Sequence, residues 1–190
     1  MGAIEQLFMN LEVEEAAKRL LGCELVGDTD DGPVRVRIVE TEAYHQFDAA
    51  SHSYAGRTPR TDVMFGPAGR LYVYFTYGMH YCCNVVTGPE GEGSAVLIRA
   101  VEPLQNEALL RLRRAKSGVE LTNGPAKLCQ ALGVTRELNG HDLSEAPLRL
   151  SLRPAVTPGD IVQTTRIGIS KAADKPWRFY LRGNAYVSRG

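Results

Sequence analysis

Two glutamates separated by a single residue, Glu40 and Glu42, sit in the run Ile38-Val39-Glu40-Thr41-Glu42-Ala43-Tyr44. On an extended strand both side chains point the same way, about 6.6 Å apart by strand rise. A carboxylate pair at such spacing is what sugar glycosidases use, and one carboxylate alone can deprotonate a water. Two inert acids solvated at a strand end have the same spacing. Close by in sequence are Tyr44, Tyr72, Tyr74, Tyr77 and Tyr81, with His52 in the intervening stretch. Aromatic faces can enclose a planar ligand whose edge a hydroxyl or ring nitrogen then reads. Cross-strand aromatic packing in a hairpin produces the same cluster. Tyr77 differs, because it precedes Gly78 at a hairpin tip where core packing is hard to arrange; an exposed aromatic there suits insertion between stacked bases. Arg99 lies within the apolar run Ala95-Val96-Leu97-Ile98-Arg99-Ala100-Val101. A guanidinium in that setting needs a buried carboxylate. It can serve as a structural ion pair or help hold a water against a glutamate.

The elements that must position these groups follow from local patterning. Val13, Ala16, Ala17, Leu20 and Leu21 have helical spacing and Gly22 is a stop. Glu24 to Val26 reads as a strand and Asp28 to Pro33 as a turn. Val34 to Tyr44 alternates as a strand, placing Val34, Val36, Ile38, Glu40 and Glu42 on one face. That apolar face turns acidic, as if running from core into a cleft. His45 to Gly69 is long and irregular, the kind of loop that is often functional. Leu71 to Thr76 and Tyr81 to Thr87 pair through Tyr77-Gly78-Met79-His80, and Ser94 to Val101 is a further strand. Asn106 to Lys116 is a helix, and Asn123 caps another that has Pro125 in its first turn and ends at Gly133. Leu148 to Leu152, Ile161 to Ile169 and Arg178 to Leu181 are short strands. Strands scattered without regular helices between them favour an α+β fold with a mostly antiparallel sheet.

At 190 residues the chain is one domain of residues 1–190 with room for a real core. Its 44% hydrophobic and 23% charged residues are ordinary for a globular protein. No run approaches the roughly 20 apolar residues of a membrane span, and Met1-Gly2-Ala3-Ile4-Glu5-Gln6 is not an export signal. A cytoplasmic protein with no membrane partner is expected. Cys23, Cys82, Cys83 and Cys129 form no C-x-x-C pair, so reduced, buried thiols are expected and a structural zinc is not. His45, His80 and His141 show no metal-ligand spacing, and phosphate-cradling and serine-nucleophile motifs are absent. The net charge of zero argues weakly against nucleic acid. Basic clusters at Arg57, Arg60 and Arg70 and at Arg111, Arg113, Arg114 and Lys116 nevertheless allow a positive face.

Taken together, the blocks Val39-Glu40-Thr41-Glu42-Ala43-Tyr44, Ser51-His52-Ser53, Thr58-Pro59-Arg60, Leu71-Tyr72-Val73-Tyr74, Tyr77-Gly78-Met79, Asn84, Leu97-Ile98-Arg99-Ala100, Gly124-Pro125-Ala126-Lys127 and Arg166-Ile167-Gly168-Ile169 occur in order over nearly the whole chain. In these blocks the sequence resembles the alkyladenine (3-methyladenine) DNA glycosylases, monofunctional base-excision enzymes with a protruding β-hairpin. The resemblance implies a single domain with a curved, open-barrel-like antiparallel sheet surrounded by helices. It implies Glu42, not Glu40, as general base, with Arg99 and the main-chain carbonyl of Ile167 helping to hold the attacking water. Tyr44, His52 and Tyr74 would enclose the extruded base, and Asn84 would line the pocket and disfavour the amino group of normal guanine. Tyr77, with Met79 beside it, would enter the duplex. The implied partner is double-stranded DNA carrying alkylated or deaminated purines, with no cofactor and no metal; a monomer is expected, because wedging into DNA requires only one subunit. Cys83 stands where the family has a larger apolar residue, and a smaller pocket floor there would widen or loosen lesion choice. His80 adds a titratable group near the hairpin tip.

Overall fold

The organising strand of the molecule is β2 (Val34–His45), twelve residues long and almost wholly buried from Ile38 to Ala43. The computed structural model describes residues 1–189. β2 pairs antiparallel along nearly its full length with β5 (Ser94–Gln105). On its other edge it changes partner midway. Residues 34–37 pair with β1 (Glu24–Gly27), and Glu40, Thr41 and Glu42 pair with β8 (Arg178–Leu181). The hairpin β3 (Leu71–Thr76) and β4 (His80–Val86) extends the sheet beyond β5, β6 (Leu148–Ser151) lies outside β1, and β7 (Ile161–Thr164) outside β8. The result is one α+β domain built on an open, eight-stranded antiparallel sheet.

The alternation of β2 shifts phase at Val39. Ile38 pairs with Val101 and Glu40 with Ala100, so Val39 has no partner on β5; Thr41 then pairs with Ile98, so Arg99 has none on β2. Each unpaired residue is a bulge, and a bulge re-aims the side chains that follow. Val34, Val36 and Ile38 belong to the main core, but beyond the bulge it is Ala43 that joins it, and Thr41 donates its hydroxyl to the carbonyl of Ala17 at 3.0 Å on the same side. β5 does the same, with Val96 and Ile98 in the core before Arg99 and Val101 after it. Glu40 and Glu42 are therefore not the continuation of the Val34-Val36-Ile38 face. They emerge on the opposite face of the sheet, which strict alternation could not anticipate.

Four helices cover the core face: α1 (Ala3–Phe8), α2 (Val13–Leu20), α3 (Glu107–Arg114) and α4 (Pro125–Leu132). Helix α2 buries Val13, Ala16, Ala17 and Leu20 as its spacing requires, each larger side chain contributing roughly 1.5–3 kcal/mol on burial. Helix α4 starts with Pro125 after a cap at Gly124 rather than Asn123, and packs on β4 and β5. All four cysteines are free and buried. Cys83 belongs to the core cluster on the α4 side, so it is not part of the pocket floor; its neighbour Cys82 points the other way. The six-residue α1 was not apparent from sequence, and the strand expected over Ile161 to Ile169 stops at Thr164. Among the described residues no helix is long and apolar enough to cross a membrane.

Candidate active site

On the face opposite the helices one row of directly paired residues crosses four strands. Tyr72 on β3 pairs with Asn84 on β4, Asn84 with Leu97 on β5, and Leu97 with Glu42 on β2. Adjacent rows bring in Tyr74 and Cys82, which pair with each other. Above this face lies a cavity of about 340 Å³ lined by Tyr44, His52, Tyr72, Tyr74, Asn84 and Arg99, with Ile167 and Gly168 from the segment after β7. The volume is within the range of small-molecule pockets. The irregular stretch 46–69 closes one side, its Met64 and Phe65 packing with Tyr72, Val86 and Ala95 in a second apolar cluster.

Glu42 is fully buried immediately beneath the cavity. Three lining residues hold it. The Tyr44 hydroxyl donates to Oε2 at 2.8 Å, the Ile167 main-chain N–H donates to Oε1 at 2.8 Å, and Arg99 Nη1 stands 3.4 Å from Oε2. The Ile167 carbonyl, expected to help hold the water, is a different group from the N–H that bonds Glu42, and only that donor can bond the carboxylate. Burial, and then the adjacent Glu42 carboxylate, push the Tyr44 phenol well above its ordinary range, so it remains a donor.

Glu40 is equally buried, but both its oxygens are committed elsewhere. Oε1 accepts from Arg178 Nε at 2.6 Å, Arg99 Nε at 3.2 Å and Ser188 Oγ at 2.8 Å, and Oε2 accepts from the Ser188 N–H at 2.6 Å. Two carboxylates thus face two guanidiniums in a balanced buried group, which is the condition for tolerating such charges away from water.

The aromatic walls are set at angles. The His52 ring stands edge-on to Tyr74, with centroids 4.5 Å apart and planes at 83°, and its Nδ1 lies 3.1 Å from the Tyr72 hydroxyl. Although part of His52 is exposed, burial of its ring and then the nearby Arg60 guanidinium lower its pKa to about 4, leaving it neutral at ordinary pH. Burial followed by the Cys82 thiol raises the Tyr74 phenol far above its usual value, and burial lifts the Cys82 thiol to about 11. Asn84 commits its Nδ2 to the Tyr72 carbonyl at 3.1 Å.

Tyr77 and Met79 project from the β3–β4 tip, 84% and 70% exposed, and Tyr77 also borders the cavity. Tyr77 and Gly78 both have positive φ, +52° and +68°. For an aromatic residue that conformation costs on the order of 1–2 kcal/mol and concentrates at functional turns.

Sequence reasoning did not find the residues that hold this arrangement together. Arg166 and Asp48 form a fully buried ion pair, and Arg166 also donates to the carbonyls of Ala43 at 2.9 Å and Ala172 at 3.2 Å. The Arg166 guanidinium lies 4.6 Å from the Tyr44 ring and 5.4 Å from that of Trp177. It therefore fixes Tyr44 and anchors the segment carrying Ile167. The only sequence signal was the Arg166-Ile167-Gly168-Ile169 block, which named no partner.

Among known proteins, the family profile described as Methylpurine-DNA glycosylase (MPG) matches residues 7–185. The chain is 52% identical over 184 residues to a protein of Carboxydothermus hydrogenoformans, covering 96% of each. It is 52% identical over 186 residues to one of Methanoculleus marisnigri, again covering 96% of each. With a protein of Francisella tularensis the identity is 47% over 188 residues and 97% of both chains. Each of the three carries the name "Putative 3-methyladenine DNA glycosylase".

Proposed function

Because the chain belongs to the methylpurine-DNA glycosylase family, a group of DNA-repair glycosylases, we propose that it turns alkylated purines of the 3-methyladenine type out of duplex DNA. It then hydrolyses their N-glycosidic bond with a Glu42-activated water and leaves an abasic site. The observation that carries this reading is the Glu42 carboxylate, buried under an aromatic cavity and held by Tyr44, Arg99 and Ile167.

A base inside a duplex is out of reach, and extruding it costs a few kcal/mol. The strained, exposed tip at Tyr77, with Met79 beside it, is suited to fill the vacated stack and offset part of that cost. Alkylation at purine N3 or N7 leaves the base cationic. Such a base is already a good leaving group and is attracted to the Tyr44 and Tyr74 faces, by about 0.5–2 kcal/mol. Asn84 and neutral His52 supply the polar edges of the pocket. Glu42 has no exposed surface, so the attacking water reaches it from the cavity side, where the Tyr44 hydroxyl gives up Oε2 to it while the ring stays packed on Arg166. Glu42 then takes the water's proton, and its developing neutralisation coincides with attack on the oxocarbenium-like sugar, which its charge had favoured. Arg99 holds the same water from the other side. The site has no lysine positioned for a Schiff base, which supports a monofunctional reaction that leaves the strand intact. Among the described residues, a single aromatic cavity next to a single exposed hairpin tip suits a monomer acting on the cytoplasmic DNA.

The two-carboxylate sugar glycosidase is disfavoured because Glu40 spends both oxygens on Arg99, Arg178 and Ser188. Pure protein incubated with methylated duplex DNA, followed by chromatography of released purines and alkaline scoring of the strand, tests the reading. Release of free methylated purine with alkali-labile, otherwise uncut strands is expected. Binding of damaged duplex without base release would replace the enzyme by a damage binder.

A further inference from the structure

Glu40 is buried beside the catalytic centre and outside the cavity, and its bonds have a direction. It grips Arg99 through Nε at 3.2 Å, while Nη1 of the same guanidinium faces Glu42 at 3.4 Å. It also takes both the N–H and the hydroxyl of Ser188, at 2.6 and 2.8 Å. Arg178 closes the ring, donating Nε to Glu40 at 2.6 Å and Nη2 to the Ser188 carbonyl at 3.1 Å. Arg99 Nη2 stands 3.4 Å from the Ser188 hydroxyl. Arg99 sits on a bulge with no strand partner on β2, so the sheet itself does little to aim it.

We infer that Glu40 is a positioning residue for excision: with Ser188 locked onto it, it holds Arg99 in the one orientation that serves both Glu42 and the attacking water. A bulged arginine between two carboxylates has a competing arrangement, a two-pronged pair with Glu42. That pair would occupy the oxygens Glu42 needs for water. Glu40, oriented by three donors besides Arg99, denies Arg99 that alternative. The Ser188 segment thus becomes part of the active-site support, although it lies 148 residues from Glu40 in sequence.

This inference rests on Glu42 being the base, so Glu42→Gln is measured in parallel. The test compares single-turnover excision of a methylated purine with affinity for duplex carrying an abasic analogue, in Glu40→Gln and in the double variant Glu40→Gln/Arg178→Gln. The double variant restores the buried charge balance, so it separates positioning from folding. Both variants are expected to lose about 10- to 100-fold in excision rate, the scale that a small misplacement of a reacting group costs, while affinity stays within about twofold. Excision at the wild-type rate by the double variant would overturn the inference and leave Glu40 a structural plug. Excision by Glu42→Gln at the wild-type rate would instead overturn the general-base reading.

Discussion

Val39 and Arg99 are left unpaired at the middle of the β2–β5 ladder, one on each strand and on either side of the Glu40–Ala100 pair. Their bulges turn Glu40 and Glu42 out of the core face and onto the face that carries Tyr72, Asn84 and Leu97. The same bulges mark where β2 exchanges β1 for β8 along its other edge. The site is therefore a consequence of a local fault in the sheet.

The Tyr44 hydroxyl is the donor that would yield to the attacking water, and its ring is the surface that would receive the base. Tyr44→Phe keeps the ring and removes a donor from a buried carboxylate, a loss of about 1–3 kcal/mol. Thermal melts should show that destabilisation, and lesion-duplex affinity should hold while single-turnover excision slows. A loss of affinity with unchanged excision would show that the hydroxyl reads the base and does not serve Glu42.

Tyr77 contributes little to the fold. Replacing it by Gly removes the positive-φ strain of roughly 1–2 kcal/mol and adds an entropic cost of about 0.5–1 kcal/mol. Melting should therefore move little or slightly upward, while affinity for lesion duplex falls about tenfold or more, the scale of a lost stacking contact. Unchanged affinity for lesion duplex would remove Tyr77 from the wedge role.

His52 should stay neutral throughout the working range. Its folded pKa of about 4 lies below the ordinary 6.5. Between those values the unfolded chain binds a proton that the folded chain refuses, so its contribution to stability is present above about 6.5, declines as pH falls, and is fully lost below about 4. An NMR titration of the ring protons should give a midpoint near 4, and excision should show no inflection near 6.5 from this residue. A midpoint near 6.5 would mean that the ring is solvated and does not pack against Tyr72 and Tyr74.

The buried Asp48–Arg166 pair should matter more than any surface ion pair. Asp48→Ala leaves a guanidinium buried without its partner, at a cost of about 3–5 kcal/mol, or on the order of 10 °C in melting temperature for a chain of this size. Because Arg166 packs against Tyr44 and adjoins Ile167, excision should fall as well. Disrupting the exposed Arg57–Asp62 pair should leave the melting curve unmoved. Equal effects of the two changes would contradict the assigned burial.

Much of this arrangement was legible in the sequence wherever an element obeys its own period. Helix α2, the β3–β4 hairpin and the apolar run of β5 each announce themselves, and with them the crowding of Tyr72, Tyr74 and Asn84 on one side. The phase shift at Val39 was not legible, because a valine in a β-rich run carries no mark of a bulge. That one omission joined Glu40 and Glu42 to the wrong face. Cys83 misled in a similar way: its place next to Asn84 suggested a pocket residue, yet adjacent strand residues point to opposite faces, and Cys83 packs in the core. Helix α1 has six residues and no side-chain cap, too little pattern to see. β7 ends early because Arg166 leaves the strand to reach Asp48 and Gly168 takes φ +73°. Bonds such as Arg166 to Asp48 and Ser188 to Glu40 join residues 118 and 148 apart, which local patterning cannot register.

The most direct test of the account is single-turnover release of 3-methyladenine or 7-methylguanine from duplex DNA by Glu42→Gln, with duplex affinity measured on the same preparation. Glutamine fits the same space but cannot take a proton from water. The account predicts that affinity for the lesion is retained and base release falls by about 10²- to 10⁴-fold, the span of general-base catalysis. Release at the wild-type rate would contradict it and move the chemistry away from Glu42.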